Sequence, residues 1–115
     1  MNEPHRKAAG GLAGWQARTI RQIVASHLAD LTVATLAQAV NLSPFHFCRA
    51  FRVTFGVPPR EWLLQQRLER GKARLLESSE TVEQIAVSLG YRSGSEFSRV
   101  FRARLGMSPQ AFRRA

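Results

Sequence analysis

The chain carries one chemical pattern twice, Phe-x-Arg-x-Phe-Arg-x-x-x-Gly, at Phe47–Gly56 and again at Phe97–Gly106. At roughly 100° per helical residue, Phe47, Phe51 and Ala50 share one face of the first copy. Phe45, Arg49 and Arg52 take the opposite face, with Cys48 at its edge. In the second copy Phe97, Phe101 and Val100 face one way, and Ser95, Arg99 and Arg102 the other, with Ser98 at the edge. Two phenylalanines at that spacing form a buried stripe. Two arginines one turn apart on the outer face present planar forks of donors, the geometry that suits phosphates and the O6/N7 edge of guanine. Arg49 and Arg99 are therefore expected to contact bases rather than form surface ion pairs. Arg52 and Arg102 are expected on phosphates, which receive most hydrogen bonds in protein–DNA interfaces. Phe45, an aromatic residue on the outer face, either meets thymine methyls or leans on a neighbouring helix.

The charge balance points the same way. The 115 residues include 17 Lys+Arg against 8 Asp+Glu, a formal net charge of +9. All but two of the basic residues are Arg, and such an excess attracts polyanions. From Leu42 to Arg60 there is no acid, while Arg49, Arg52 and Arg60 are present. From Phe97 to the end there is none against Arg99, Arg102, Arg104, Arg113 and Arg114. Two separate basic stretches look like two contact surfaces rather than one uniform coat.

Catalysis finds no footing. His5, His27 and His46 are dispersed without metal-ligand spacing, and there is no paired-carboxylate cleft, nucleophile elbow or glycine loop for phosphate. No catalytic residue, metal or cofactor is expected. Cys48 lies among basic residues, where a structural or groove-facing use outweighs a catalytic one. A single cysteine forms no intramolecular disulfide, which fits a reducing cytoplasm. No run approaches the roughly 20 apolar residues of a membrane span. The opening MNEPHRKAAGG lacks an apolar stretch behind its basic residues, so it reads as a flexible tail and not as a signal peptide.

The elements that must position these side chains follow from a longer repeat. Thr32-Val33, Leu36-Ala37, Val40 and Leu42 recur as Thr81-Val82, Ile85-Ala86, Leu89 and Tyr91. With one residue inserted, Ser43, Phe47, Arg49, Phe51, Arg52, Gly56 and Pro59 recur as Ser93, Phe97, Arg99, Phe101, Arg102, Gly106 and Pro109. Each copy reads as a short helix, a turn and a second helix. Thr32 caps the short helix of the first copy; Thr81 with Gln84 makes a capping box in the second. Both short helices stop near residues that tolerate a left-handed backbone, Asn41 and Gly90. The second helices start at Ser43-Pro44 and at Ser93, whose box partner is Glu96. Trp15 to Leu28 is a helix with Trp15, Ile20, Ile23, Val24 and Leu28 as its apolar positions. Pro59 to about Glu77 is a long helix with Trp62, Leu63, Leu68, Leu75 and Leu76 as contacts, expected to join the two units and belong to neither. Ser108-Pro109 starts a short closing helix through Phe112. Nothing alternates with period two, so the fold is all-α. The expected domains are a flexible tail over 1–13, a first helix-turn-helix subdomain over 14–57, a linker helix over 58–78 and a second subdomain over 79–115.

These residues resemble the AraC/XylS family of transcription regulators from Trp15 to Arg113. The strongest part is GYRSGSEFSRVFRARLGMSPQAFRR (Gly90 to Arg114), supported by LSPFHFCRAFRVTFGVPP (Leu42 to Pro59) and RLERGKARLL (Arg67 to Leu76). The resemblance implies seven helices and two helix-turn-helix units set apart by a rigid central helix. Position by position it implies base readers at Phe45, Cys48 and Arg49 in the first unit, and at Ser95 and Arg99 in the second. Gly94 and Glu96 fall near the groove, as base contacts or helix caps, the cap being favoured for Glu96 over reading cytosine. Ser43 and Ser93, at the helix starts, join Arg52 and Arg102 as phosphate contacts. Cys48 and Gly94 stand where the family often has longer polar side chains, and Gly71 where it usually has Ala. A mid-helix glycine costs about 1 kcal/mol relative to Ala, and here it permits either close packing or flexing.

The implied partner is double-stranded DNA, read in successive major grooves of a non-palindromic site, because the two outer faces differ. A linker of about 20 residues at about 1.5 Å rise spans some 30 Å, close to one turn of B-DNA, about 34 Å. A monomer carries both readers, RNA polymerase is a further candidate partner, and no membrane is expected. A small-molecule effector is expected only where a separate sensing domain accompanies this chain. The competing reading is a protein-interaction module, for polymerase or another regulator, with only general DNA affinity. Retention of Arg49 and Arg99 speaks against it. RNA is disfavoured because neither outer face has paired stacking aromatics.

Overall fold

The computed structural model describes residues 10–115, and these form seven α-helices and no strand. They are α1 (Gly14–His27), α2 (Val33–Ala39), α3 (Pro44–Phe55), α4 (Pro59–Glu77), α5 (Val82–Ser88), α6 (Gly94–Leu105) and α7 (Pro109–Arg114), with a turn of 3-10 helix over Leu28–Asp30 after α1. The chain divides into two compact units whose boundary, Leu63/Leu64, lies inside α4. The all-α, seven-helix expectation holds.

Local chemistry sets the helix starts. Thr32 Oγ1 accepts the Thr35 N–H (3.1 Å), and Thr81 Oγ1 accepts the Gln84 N–H (3.0 Å). Gln84 Oε1 returns to the Thr81 N–H at 2.9 Å, closing the box. Ser43, Ser93 and Ser108 cap α3, α6 and α7 by accepting from His46, Glu96 and Ala111. Each satisfies an amide that the helix itself leaves without a partner. The turns between paired helices pass through positive φ, Asn41 at 61° and Gly90 at 99°, a region where Asn and Gly are the least strained residues.

In the first unit Ile20 and Val24 of α1, Leu36 and Val40 beside the turn, and Phe47 and Phe51 of α3 are buried together with Trp62 and Leu63. In the second, Leu68 and Leu75 of α4 are buried with Ile85, Leu89, Phe97 and Phe101. Fully burying side chains of this size stabilises by about 1.5–3 kcal/mol each. The ring geometry repeats. Phe47–Phe51 and Phe97–Phe101 both lie at 5.5 Å between centroids. The next helix adds an edge-on ring in each, Phe51–Trp62 at 5.4 Å and Phe101–Phe112 at 5.5 Å.

This repetition revises the role of α4. In the first unit Gln16 Nε2 of α1 donates to the Val40 carbonyl at 3.0 Å. In the second, Arg67 Nε of α4 donates to the carbonyl of Leu89, the matching residue, at 3.1 Å. Thus α4 serves the second unit as α1 serves the first, while its opening turn closes the first unit as α7 closes the second. The helix expected to belong to neither unit is built into both.

Three expectations change in detail. Leu76 is not a contact of α4 but 61% exposed; it lies about 100° round the helix from buried Leu75. Trp15 is 47% exposed, about 140° away from Ile20 on α1. Of the tail expected over 1–13, residues 1–9 lie outside the described residues, but Leu12 is buried and donates its N–H to Thr54 Oγ1 at 2.8 Å. Gly71 is a close-packing position: a Cβ there would stand 2.8 Å from Phe97 Cζ.

Candidate nucleic-acid interface

With the phenylalanine pairs buried, the opposite faces of α3 and α6 are left to solvent. On α3, Phe45, Cys48, Arg49 and Arg52 are all exposed, and Phe45 is 68% exposed, leaning on no neighbouring helix. The Arg49 guanidinium lies 5.7 Å from the Phe45 ring centroid, an i,i+4 pair that stacks a cation on an aromatic face. On α6, Ser95, Arg99 and Arg102 are exposed and Ser98 is half-buried. The inward and outward assignments made from helical phase are those observed.

The arginines divide into two kinds. Arg74 donates through Nε and Nη2 to the Glu80 carboxylate at 2.6–3.0 Å and through Nη1 to Ser88 Oγ. Arg113 donates to the carbonyls of Leu75 and Ser78. Arg67 holds Leu89. These guanidiniums tie helices together, and the hydrogen bonds from Arg74 hold the Glu80 carboxyl below the usual carboxylate range. Arg49, Arg52, Arg99 and Arg102 have no ion pair or hydrogen bond from their guanidiniums to any described residue. Four outward cations therefore keep their full donor capacity for a partner.

The remaining expected positions are at the helix starts. Ser43 and Ser93 use an oxygen lone pair as caps, which leaves the hydroxyl proton as a donor; Ser43 Oγ lies 3.0 Å from His46 Nδ1. Glu96 is a capping residue: Oε1 accepts the Arg92 N–H at 2.7 Å, and its own N–H is held by Ser93 Oγ. The carboxylate thus reaches one residue further back than a standard box would take it. Gly94 is buried and donates its N–H to Glu83 Oε1 at 2.7 Å. It has neither a side chain nor a free amide for a base.

With this geometry in hand, known proteins give the chain its place. The helix-turn-helix domain family matches residues 36–115. The chain belongs to the AraC-type helix-turn-helix family. An AraC-like transcription regulator of Streptomyces antibioticus is 35% identical over 116 residues, covering 94% of this chain and 38% of the relative. The arabinose operon regulatory protein of Escherichia coli K12 is 33% identical over 94 residues, covering 80% of this chain and 32% of that protein. The chain thus spans about a third of the length of these relatives. Among solved structures, the DNA-binding domain of AdpA in complex with a target DNA superposes with a TM-score of 0.79 at 32% identity, covering 85% of this chain and 88% of that one.

As an AraC-type DNA-binding domain, the chain is not an enzyme. No helix among the described residues is long and apolar enough to cross a membrane. Two polar residues near the outer faces escaped the reading of residue types. His46 is exposed on α3, its ring 6.0 Å from that of Phe45, yet as a histidine without metal-ligand spacing it gave no signal. Glu83 clasps the start of α6, and only its place on the first turn of a capped helix, 11 residues before Gly94, hinted at it.

Proposed function

We propose that this chain is the sequence-specific, double-stranded-DNA-reading part of a transcription regulator. The recognition helices α3 and α6 enter major grooves. Phe45, Cys48 and Arg49 contact bases from the first, Ser95 and Arg99 from the second, and Ser43, Arg52, Ser93 and Arg102 hold phosphates. The observation that carries this reading is the set of four outward arginines whose guanidiniums make no ion pair or hydrogen bond to any described residue, each on a helix anchored from behind by a buried phenylalanine pair. The likeness to the AdpA domain, solved on its target DNA, supports it.

Because α3 offers an aromatic, a thiol and Arg, and α6 two serines and Arg, the two elements of the site are expected to differ in sequence. Successive major grooves are the proposed seats of the two recognition helices, one element of the site for each. One copy carries both readers, so a monomer suffices. The cytoplasm, where such a regulator meets DNA, is the proposed location.

The test is selection of sites from a random duplex library at near-physiological salt, with Arg49→Ala and Arg99→Ala alongside. Two unlike elements about one turn apart are expected, each blurred in its own variant. Arg99→Ala should cost about 1–3 kcal/mol on the selected site and relax preference at one base position. Salt-sensitive binding with no enriched sequence would refute the reading and favour a protein-interaction module.

A further inference from the structure

The two repeats begin their recognition helices differently. The first residue of α3 is Pro44, which has no N–H to satisfy. The first residue of α6 is Gly94, which has one, and the Glu83 carboxylate of α5 accepts it at 2.7 Å. In the first repeat the place of Glu83 is taken by Ala34, 49 residues earlier. The clasp therefore exists in one unit only.

Its geometry is tight. A Cβ on Gly94 would meet Glu83 Oε1 at 2.9 Å, Glu83 Cα at 3.3 Å and Glu83 N at 3.4 Å. The two backbones approach until nothing larger than hydrogen fits, and a charge-assisted hydrogen bond closes the contact. The helix dipole favours an anion at this end of α6. Together with the Arg92 and Glu96 amides, held by Glu96 and Ser93, this pins the first turn of α6 at three points, and only the Glu83 contact comes from another helix.

We infer that Glu83 is a positioning residue for DNA recognition by the second unit, its carboxylate holding the start of α6 so that Ser95 and Arg99 meet their bases. This rests on the reading that α6 contacts bases. Readout of this kind requires side chains held to within about 0.5 Å and 10–20°, and Ser95 follows the clasped residue directly. A carboxylate beside DNA also repels phosphates. Loss of its charge and loss of its reach therefore push affinity in opposite directions, which lets experiment separate them.

The experiment uses the full chain and two conservative variants. Glu83→Gln keeps the length and an acceptor oxygen but removes the charge. Glu83→Asp keeps the charge but draws the carboxylate back by one methylene from its place on the Gly94 N–H, and it is well tolerated in the first turn of a helix. Site selection and affinity on the selected duplex are measured for both, with Arg99→Ala as the reference for losing the second element. Glu83→Gln is expected to keep both elements, with affinity on the selected site nearer to wild type than that of Glu83→Asp, or above wild type, since a neutral hydrogen bond still holds Gly94 and a charge that repels phosphates is gone. Glu83→Asp is expected to blur the second element alone and lose about tenfold on the selected site, the scale of one lost hydrogen bond to a charged group. Protection of the Phe97 amide, bonded to the Ser93 carbonyl, from hydrogen exchange at the wild-type level shows that the second unit is folded in each variant, and the unchanged first element shows the same of the first unit. An unblurred second element in Glu83→Asp at wild-type affinity overturns the inference, as does equal loss in both variants. A wild-type site without a second element, unmoved by Arg99→Ala, overturns the reading on which it rests and the positioning role with it.

Discussion

Replacing Gly71 by Ala sets two measurable effects against each other. In a helix interior Ala is favoured over Gly by about 1 kcal/mol, so propensity alone makes Gly71→Ala stabilising. The packing opposes it. The new Cβ would stand 2.8 Å from Phe97 Cζ, 3.1 Å from Phe97 Cε1 and 3.2 Å from Leu89 Cδ1. Ordinary carbon contacts are about 3.5–4.0 Å, so the ring must retreat by about 0.7 Å. Phe97 has no free side to retreat into: it is 0% exposed, with the Tyr91 ring at 5.3 Å and the Phe101 ring at 5.5 Å. Overpacking of this kind costs about 1–3 kcal/mol. The net expectation is destabilisation of the second unit by about 0–2 kcal/mol. The assay is urea denaturation of the full chain followed by helical circular dichroism. Exchange of the Phe97 amide, which bonds to the Ser93 carbonyl, reports on the second unit by itself. A companion variant adds Phe97→Leu, which frees room at the clash, and the double variant should lose less than the sum of the singles. Stabilisation by about 1 kcal/mol, or strict additivity with Phe97→Leu, would show that Gly71 is not a packing position.

Phe101→Ala, in the buried ring series of the second unit, should destabilise by about 3–5 kcal/mol through a cavity; an unchanged melting curve would contradict its place in the core. Arg52→Ala should weaken binding to every duplex alike and reduce the salt slope by about 0.9, measured as affinity against salt concentration on selected and random DNA. A shift in sequence preference instead would make Arg52 a base reader. The Glu80 carboxyl, hydrogen-bonded by Arg74, binds a proton less readily folded than unfolded, so stability rises with pH wherever the unfolded chain holds more protons. Its contribution is present above the ordinary carboxylate range and is lost as pH falls through the lowered folded value. Glu80→Gln should flatten that acid limb in pH-dependent denaturation, and an unaltered limb would remove Glu80 from the account.

What was legible in the sequence is what local rules control. Caps at Thr32, Ser43, Thr81 and Ser93, the left-handed turns at Asn41 and Gly90, and the division of α3 and α6 into a phenylalanine face and an arginine face follow from side-chain chemistry within a few residues and from helical phase. The acid-free character of residues 42–60 and 97–115 is read directly from the sequence. Periodicity placed Phe47, Phe51, Phe97 and Phe101 inward because two buried positions one turn apart need no knowledge of what covers them. It failed at Leu76 and Trp15, which are apolar and helical but point away from the packed stripe. Which side of a helix has a neighbour is a property of the assembled unit.

Only the tertiary structure decided the rest, for the same reason: these features are contacts between elements distant in sequence. It made α4 a working part of both units, through Trp62 on Phe51 at one end and Arg67 on the Leu89 carbonyl further along. It turned Gly71 from a weak point of a helix into the seat of a phenylalanine ring. It sorted the arginines, separating those tied to carbonyls and carboxylates from Arg49, Arg52, Arg99 and Arg102, whose guanidiniums make no ion pair or hydrogen bond to any described residue, a distinction that residue type and spacing do not carry. And it brought Glu83 to Gly94, because a hydrogen bond between two helices depends on their approach, which no local pattern encodes.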